Sequence, residues 1–466
     1  MVTTPTPTST ARVARPLPRP PRRDQVGYLR RLTRDPQPAL DELRARYGPV
    51  VGLGGGPVRL AVVGDPAALR DLLFAPVTSF RWGHRFNVIG AVVGKESMIV
   101  SDGADHRRRR GAVQAGFGRR RLNTWIPMIV DHADAAVADL GLVDGGSARE
   151  IDLAPVGRAV VLRVVTRALF GERLAGRAAE IGELFERPQA YLEAPALRQI
   201  PHPFPFGARA RMKADRRRLD AIVDAEIAHR RAHPDGEAHD VLETLVDDGV
   251  LTDGEIRDQV VTLLGAGYDT TAASLAWMLW RTALTPGLWE RLGREADEVY
   301  GLVPTADLDD STLRRLDLAG RVMRETTRLH PAGAISPRQA VVDVTVGDVV
   351  IPKGTLILWS AHLAGRDPDA WEDPLRFDPD RYVDMSPERA ALAEAAWVPF
   401  GRGTRNCIGF MLAQIELTLI VARLAQRIHI EPVAETVPRP VGMVVNRPTG
   451  GAPMHVTRRH PAAAGP

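Results

Sequence analysis

The stretch from Thr252 to Thr285 constrains the fold more than any other part of the sequence. Thr252-Asp253-Gly254-Glu255 reads as a capping box, in which a hydroxyl and a carboxylate satisfy each other's end-of-helix amides. No proline follows until Pro286, so the helix predicted here is about 33 residues long, roughly 50 Å at 1.5 Å per residue. From Val260 to Leu279 it is apolar nearly all round, which predicts burial on every side. Such a rod needs a large body around it, and 466 residues with 44% apolar content supply one. Inside the rod sit Gly265, Gly267, Asp269, Thr270 and Thr271. Each glycine costs about 1 kcal/mol relative to alanine, and a buried acid costs more unless paired. Local rules broken together in one place point to a site. The plain alternative is structural: glycines for close packing, an acid paired with an arginine, and a threonine bonded back to its own helix.

Most of the remaining chain also has a helical pattern, dominant from Ala104 to about Tyr300. Pro49–Val63, broken by Gly54–Pro57, reads as a short hairpin. Val341–Trp359 reads as a second strand-rich patch turning at Gly347-Asp348. A proline-dense loop is predicted at Ile200–Phe206. With no internal repeat and no linker, residues 25–466 form one mainly α domain with a small β region. Residues 1–24, rich in Thr, Pro and Arg, are expected to be a disordered tail. No run of 18 uncharged apolar residues occurs, since Arg163 and Arg167 interrupt Val160–Phe170, and no targeting segment is visible. A soluble, cytoplasmic protein without a membrane anchor is expected. Near-balanced charge, 61 basic against 57 acidic residues, argues against a dedicated nucleic-acid binder.

Cys407 is the only cysteine, which excludes an intramolecular disulfide, a four-cysteine zinc site and a protein-held iron–sulfur cluster. It lies in Phe400-Gly401-Arg402-Gly403-Thr404-Arg405-Asn406-Cys407-Ile408-Gly409, just before an apolar helix from Phe410 to about Ile428. A helix start offers backbone amides and the positive end of the dipole, both of which favour a thiolate. The glycines let the main chain wrap close to something flat, and Arg405 adds a fixed cation. A lone activated thiolate serves as nucleophile or as metal ligand. A nucleophile wants a His base with an orienting partner, and none of the 12 histidines sits in a recognisable protease context. As a metal ligand, one sulfur holds iron only if a cofactor supplies the other positions, as the four pyrroles of haem do.

This loop fits Phe-x-x-Gly-x-Arg-x-Cys-x-Gly at every fixed position and resembles the haem-binding loop of cytochrome P-450. Further motifs agree in the right order. Ala266-Gly267-Tyr268-Asp269-Thr270-Thr271 resembles the family's oxygen-activation motif on its long central helix. Glu325-Thr326-Thr327-Arg328 resembles the Glu-x-x-Arg helix, and Phe377-Asp378-Pro379-Asp380-Arg381-Tyr382 the segment whose arginine completes that ion network. His106 and Arg110, one helical turn apart, resemble the haem-propionate pair.

The resemblance implies a P-450 fold, with haem b between the long central helix and the cysteine-loop helix. It implies a haem-thiolate monooxygenase that inserts one oxygen atom from O2 into a lipophilic terpenoid, steroid, fatty acid or polyketide. Cys407 is then the iron ligand, with Phe400, Gly403, Gly409 and Ala266 against the macrocycle. His106, Arg110, Arg338 and Arg405 take the propionates. Asp269 and Thr270 become the proton-delivering pair, and Glu325, Arg328 and Arg381 a structural network. Candidate walls of the substrate pocket are Trp82, Phe86, Ile89, Leu263, Ala334, Ile335, Met443 and Val444. About 57 residues follow Gly409, too few for a flavin reductase domain, so a separate ferredoxin and its reductase are the expected electron donors. Arg107–Arg109, Arg119–Arg121 and Arg402 are candidate docking cations, and a monomer is expected. The rival readings are a peroxide-driven peroxygenase, which would not need Asp269 and Thr270, and a non-catalytic haem binder with a closed sixth position.

Overall fold

The computed structural model describes residues 15–56, 58–82, 88–199, 206–234, 239–301 and 303–459. The central helix runs Asp253–Ala283. Its start follows the sequence: the Thr252 hydroxyl accepts the Glu255 amide, and the Glu255 carboxylate accepts the Thr252 amide at 3.1 Å. It ends two residues before Thr285, whose amide bonds back to Thr282 while Pro286 blocks continuation. Leu275, Trp277 and Met278 are fully enclosed, and one large core joins this helix to the helices Leu153–Ala175, Asp317–Leu329 and Phe410–Arg427.

Gly265 has a steric reason. A Cβ there would lie 2.4 Å from Phe185 Cζ, on the helix Ala178–Leu192, so this ring rests directly on the central helix backbone. Gly267 is less constrained, its nearest neighbour being Val165 at 3.5 Å.

The two β patches meet in one five-stranded sheet, ordered Val50–Gly55, Val58–Val63, Leu356–Trp359, Ser336–Ala340, Phe80–Arg81. The first two strands form the predicted hairpin, with Val50 opposite Val63, and Leu356–Trp359 joins it in parallel. Gly347, at φ +60°, turns a second hairpin between Val344–Val346 and Val349–Ile351.

Residues 15–24, expected within a disordered tail, are structured. Arg15–Pro16 pairs with Val349 and Val350, Leu17 is buried, and a helix spans Arg22–Leu32. Composition concealed this because much of the anchoring is backbone pairing and an ion pair between Arg15 and Asp348, with few apolar contacts. Leu17 occupies the space that a side chain at Gly52 would need, 2.7 Å from its would-be Cβ. Residues 1–14 lie outside the described residues, as do 200–205 of the expected proline loop. No described helix is long and apolar enough to cross a membrane.

Candidate active site

The cysteine loop is built on its own backbone. The Cys407 amide donates to the Phe400 carbonyl at 2.7 Å, and a short turn at Gly403–Arg405 leads to Gly409, which starts the helix Phe410–Arg427. Gly401 and Gly403 stand at φ +67° and +72°. A Cβ on Gly403 would also lie 2.6 Å from the Leu73 carbonyl, so this glycine seats the loop on the neighbouring helix and does not border the cavity. Phe400 packs edge-on to Phe410 at 4.8 Å.

Cys407 is exposed to a cavity of about 310 Å³ and otherwise enclosed. Enclosure pushes its thiol up, while the Gly409 amide and the Arg110 guanidinium pull it down. The helix start expected to favour a thiolate is therefore present but outweighed, and a cation at the sulfur is what would fix the thiolate. The same cavity is bordered by Leu263, Ala266, Gly267, Thr270, Thr271 and Ser274 of the central helix, and by Val165 and Leu169 of Leu153–Ala175.

A cysteine loop and one face of the central helix thus bound one largely apolar space. The sequence matches the Cytochrome P450 family over residues 18–451. The chain belongs to the cytochrome P450 family. Cytochrome P450 139 of Mycobacterium tuberculosis is 32% identical over 432 residues, which cover 89% of this chain and 96% of that protein. Cyclooctat-9-en-7-ol 5-monooxygenase of Streptomyces melanosporofaciens is 32% identical, with 88% of each chain covered. The solved structure of retinoic acid bound cyanobacterial CYP120A1 shares the fold, with a TM-score of 0.80, 21% identity, and coverage of 95% of this chain and 99% of that one. The protein is thus an oxidoreductase of the monooxygenase class, with the P450 fold expected from its sequence.

Membership implies a haem-thiolate cofactor, and the cationic rim of this P450 fits one. Arg405 donates to the Ser101 carbonyl at 2.6 Å and lies 4.0 Å from the Trp82 ring centre. Arg338 is buried, donates to the Leu72 carbonyl at 3.0 Å and covers Phe80 and Trp82 at 4.9 and 5.3 Å. The Nε atoms of both arginines are buried without a partner. Burial pushes each guanidinium down to about 10, and Arg405 adds to the effect on Arg338. His106 is buried on the helix Gly103–Ala115 and pushed down to about 4, by burial first and then by Arg405 and Arg110. Arg110 donates to Asn406 at 2.7 Å. A crowd of buried cations with unused donors suits a dianionic edge such as two propionates.

Asp269 and Thr270 are consecutive on the central helix but differ in company. Thr270 borders the cavity and its hydroxyl donates to the Ala266 carbonyl at 2.5 Å. Asp269 is 2% exposed, does not border the cavity, and is held by Arg158 at 2.8 Å and by Arg447. Arg158 also lies over Tyr268 at 4.6 Å. The plain structural reading of an acid paired with arginine is thus realised, doubly.

The structural network is complete. Glu325 accepts from Arg328 twice at 2.8 Å, from Arg381 at 2.9 Å, from Tyr382 at 3.0 Å and from the Asp378 amide at 2.9 Å. Tyr382 is a further member that the sequence does not single out.

Of the expected pocket walls only Leu263 borders the cavity among the described residues, and Phe86 lies outside them. Trp82 instead lies against the guanidinium groups of both Arg338 and Arg405. Ile89 packs in a cluster with Tyr191 and Met212, and Ile335 against the N-terminal core. Ala334 is buried, its carbonyl accepting from Ser360. Met443 and Val444 are exposed, their amides held by Glu193. The expected docking cations are largely engaged. Arg108 and Arg109 bind Glu255, Arg119 binds Asp310, Arg121 donates to Thr244, and Arg402 binds Glu394. Arg107 and Arg120 are exposed.

Proposed function

We propose that this P450 binds haem b and oxidises a terpenoid, with electrons from a separate ferredoxin and its reductase in the cytoplasm. The observation that carries the reading is the shared cavity, which brings the Cys407 loop and the Thr270 face of the central helix to one space walled by Leu263, Val165 and Leu169. Haem bound there through Cys407 would activate dioxygen for insertion into a C–H or C=C bond. His106, Arg110, Arg338 and Arg405 would anchor its propionates, and Phe400 would shield the sulfur. Thr270 would hold a proton-bearing water at Oγ1 while the apolar walls exclude bulk solvent. Terpenoids are preferred over steroids, fatty acids and polyketides because the relatives named cyclooctat-9-en-7-ol 5-monooxygenase and pentalenene oxygenase act on terpenoids.

Two spectra test this. The reduced protein under carbon monoxide should give the red-shifted Soret band of a thiolate-bound haem, lost in Cys407→Ser. A screen of terpenoid hydrocarbons and alcohols against the Soret band should find ligands that displace iron-bound water. Shifts with fatty acids alone would discard the terpenoid assignment. Turnover driven by hydrogen peroxide and indifferent to ferredoxin would favour a peroxygenase.

A further inference from the structure

Arg338 and Arg405 are like charges that the fold holds near one another. Burial lowers Arg338 first and Arg405 lowers it further, with no acid offsetting either effect. Asp102 offsets part of the charge on Arg405, at 3.4 Å. Two such cations should splay apart unless something holds them. What both guanidiniums share is the half-buried ring of Trp82, whose centre lies 4.0 Å from Arg405 and 5.3 Å from Arg338. Phe80 gives Arg338 a second ring at 4.9 Å and meets Trp82 edge-on at 6.1 Å. The negative face of an aromatic ring attracts a guanidinium, most strongly in tryptophan and most where water is scarce. The backbone fixes the ring in this place. Phe80 pairs with Ala340 and Arg81 with Gln339, antiparallel, so one step further the register sets Trp82 beside Arg338, with Phe80 on its diagonal. The Trp82 amide donates to Asp102 Oδ1 at 2.9 Å, and the same oxygen accepts from Arg405. Arg405 borders the cavity and Trp82 does not, so the ring reaches the cavity only through its arginines. The plain alternative is that Trp82 covers the edge of the sheet, packed against the core that includes Phe80.

We propose that Trp82 is a positioning residue for the cofactor, its ring holding Arg338 and Arg405 together as a preformed seat for the two haem propionates. This rests on the haem-binding part of the reading above and adds to it a residue that touches neither iron nor substrate. Cations held in place by the free protein spare the cost of ordering them when the dianionic edge binds. Their fixed charge beside the propionates also favours the reduced iron. Loosening them should therefore weaken haem retention and lower the reduction potential together.

The test compares haem-loaded wild type with Trp82→Leu, Trp82→Phe, Arg405→Gln and the double variant Trp82→Leu/Arg405→Gln. Haem loss to excess apomyoglobin should be several-fold faster in Trp82→Leu, and its reduction potential should fall. Trp82→Phe keeps a ring face and should lie between wild type and Trp82→Leu. In the Arg405→Gln background, Trp82→Leu should speed haem loss much less, because one of the two cations it holds is gone. If Trp82→Leu fails to fold, Trp82→Phe with and without Arg405→Gln makes the same comparison. An equal fold-change in both backgrounds, or an unmoved potential, would mean that the ring only fills space and overturns the proposal. The thiolate-type carbonyl spectrum of wild type would then still uphold the monooxygenase reading. A wild type that takes up no haem sinks that reading instead, and the proposal with it.

Discussion

Asp269 and Thr270 are consecutive on the central helix and turn to different partners, Asp269 to Arg158 and Arg447, Thr270 to the cavity. One residue of helix rotates the side-chain direction by about 100°, so a single motif feeds two environments. The acid is tied to the surface through half-buried arginines, and of the two only Thr270 borders the cavity.

The two residues should therefore separate under mutation. Asp269→Asn leaves Arg158 and Arg447 without their shared anion and is expected to cost up to about 3 kcal/mol in urea unfolding, as well as slowing turnover. Thr270→Ala should cost under about 1 kcal/mol and keep haem and ligand binding, while diverting electrons to peroxide. Equal unfolding midpoints for the two variants would contradict the ion-pair assignment.

Phe185 resting on Gly265 predicts an overpacking penalty. Gly265→Ala should destabilise by about 1–3 kcal/mol, whereas Gly267→Ala should be tolerated. Adding Phe185→Leu should return part of the loss, and a double-mutant cycle measures the coupling. Additive effects would mean that the contact is relieved elsewhere.

Removing Tyr382's hydroxyl takes one donor from a carboxylate that keeps four other hydrogen bonds. Tyr382→Phe is expected to cost about 1.5–3 kcal/mol, and Glu325→Ala about 3–5 kcal/mol because it strands Arg328 and Arg381. Thermal melts and haem content of the purified variants check both, with Glu325→Ala predicted to retain little haem.

His106 makes the haem-free protein acid-sensitive. Its folded value of about 4 lies below the unfolded 6.5, so between those pH values the unfolded chain binds the extra proton. Stability should rise with pH from 4 to 6.5 and fall on acidification through that window. His106→Gln should flatten the slope of urea midpoint against pH. Bound propionates would oppose Arg405 and Arg110, so haem-loaded protein should show a shallower slope than haem-free protein.

The parts legible in sequence are those whose signals are local. The capping box at Thr252 and Pro286 bracket the central helix, and the glycines around Cys407 declare a tight loop before any contact is seen. Asp269's arginines could not be read this way. Arg158 and Arg447 stand 111 and 178 residues away, in a chain where arginine is too common to carry a signal. The pocket walls failed for a related reason. Val165 and Leu169 belong to an apolar helix whose periodicity says only that they are buried, not that they face the cavity. Glu416 is visible in the sequence as an acid within the apolar run after Phe410, but its lack of hydrogen-bond partners appears only in three dimensions.

Glu255 caps the central helix and at the same time clamps Arg108 and Arg109, whose carboxylate contacts hold it down at about 2. Those arginines lie between His106 and Arg110 on the helix Gly103–Ala115, so the start of the central helix is tied to the proposed propionate-binding edge. Genetic screens for haem retention should consequently recover substitutions at position 255. Such hits would mimic ligand-contact mutants while acting as a loosened hinge pin beneath the real contacts.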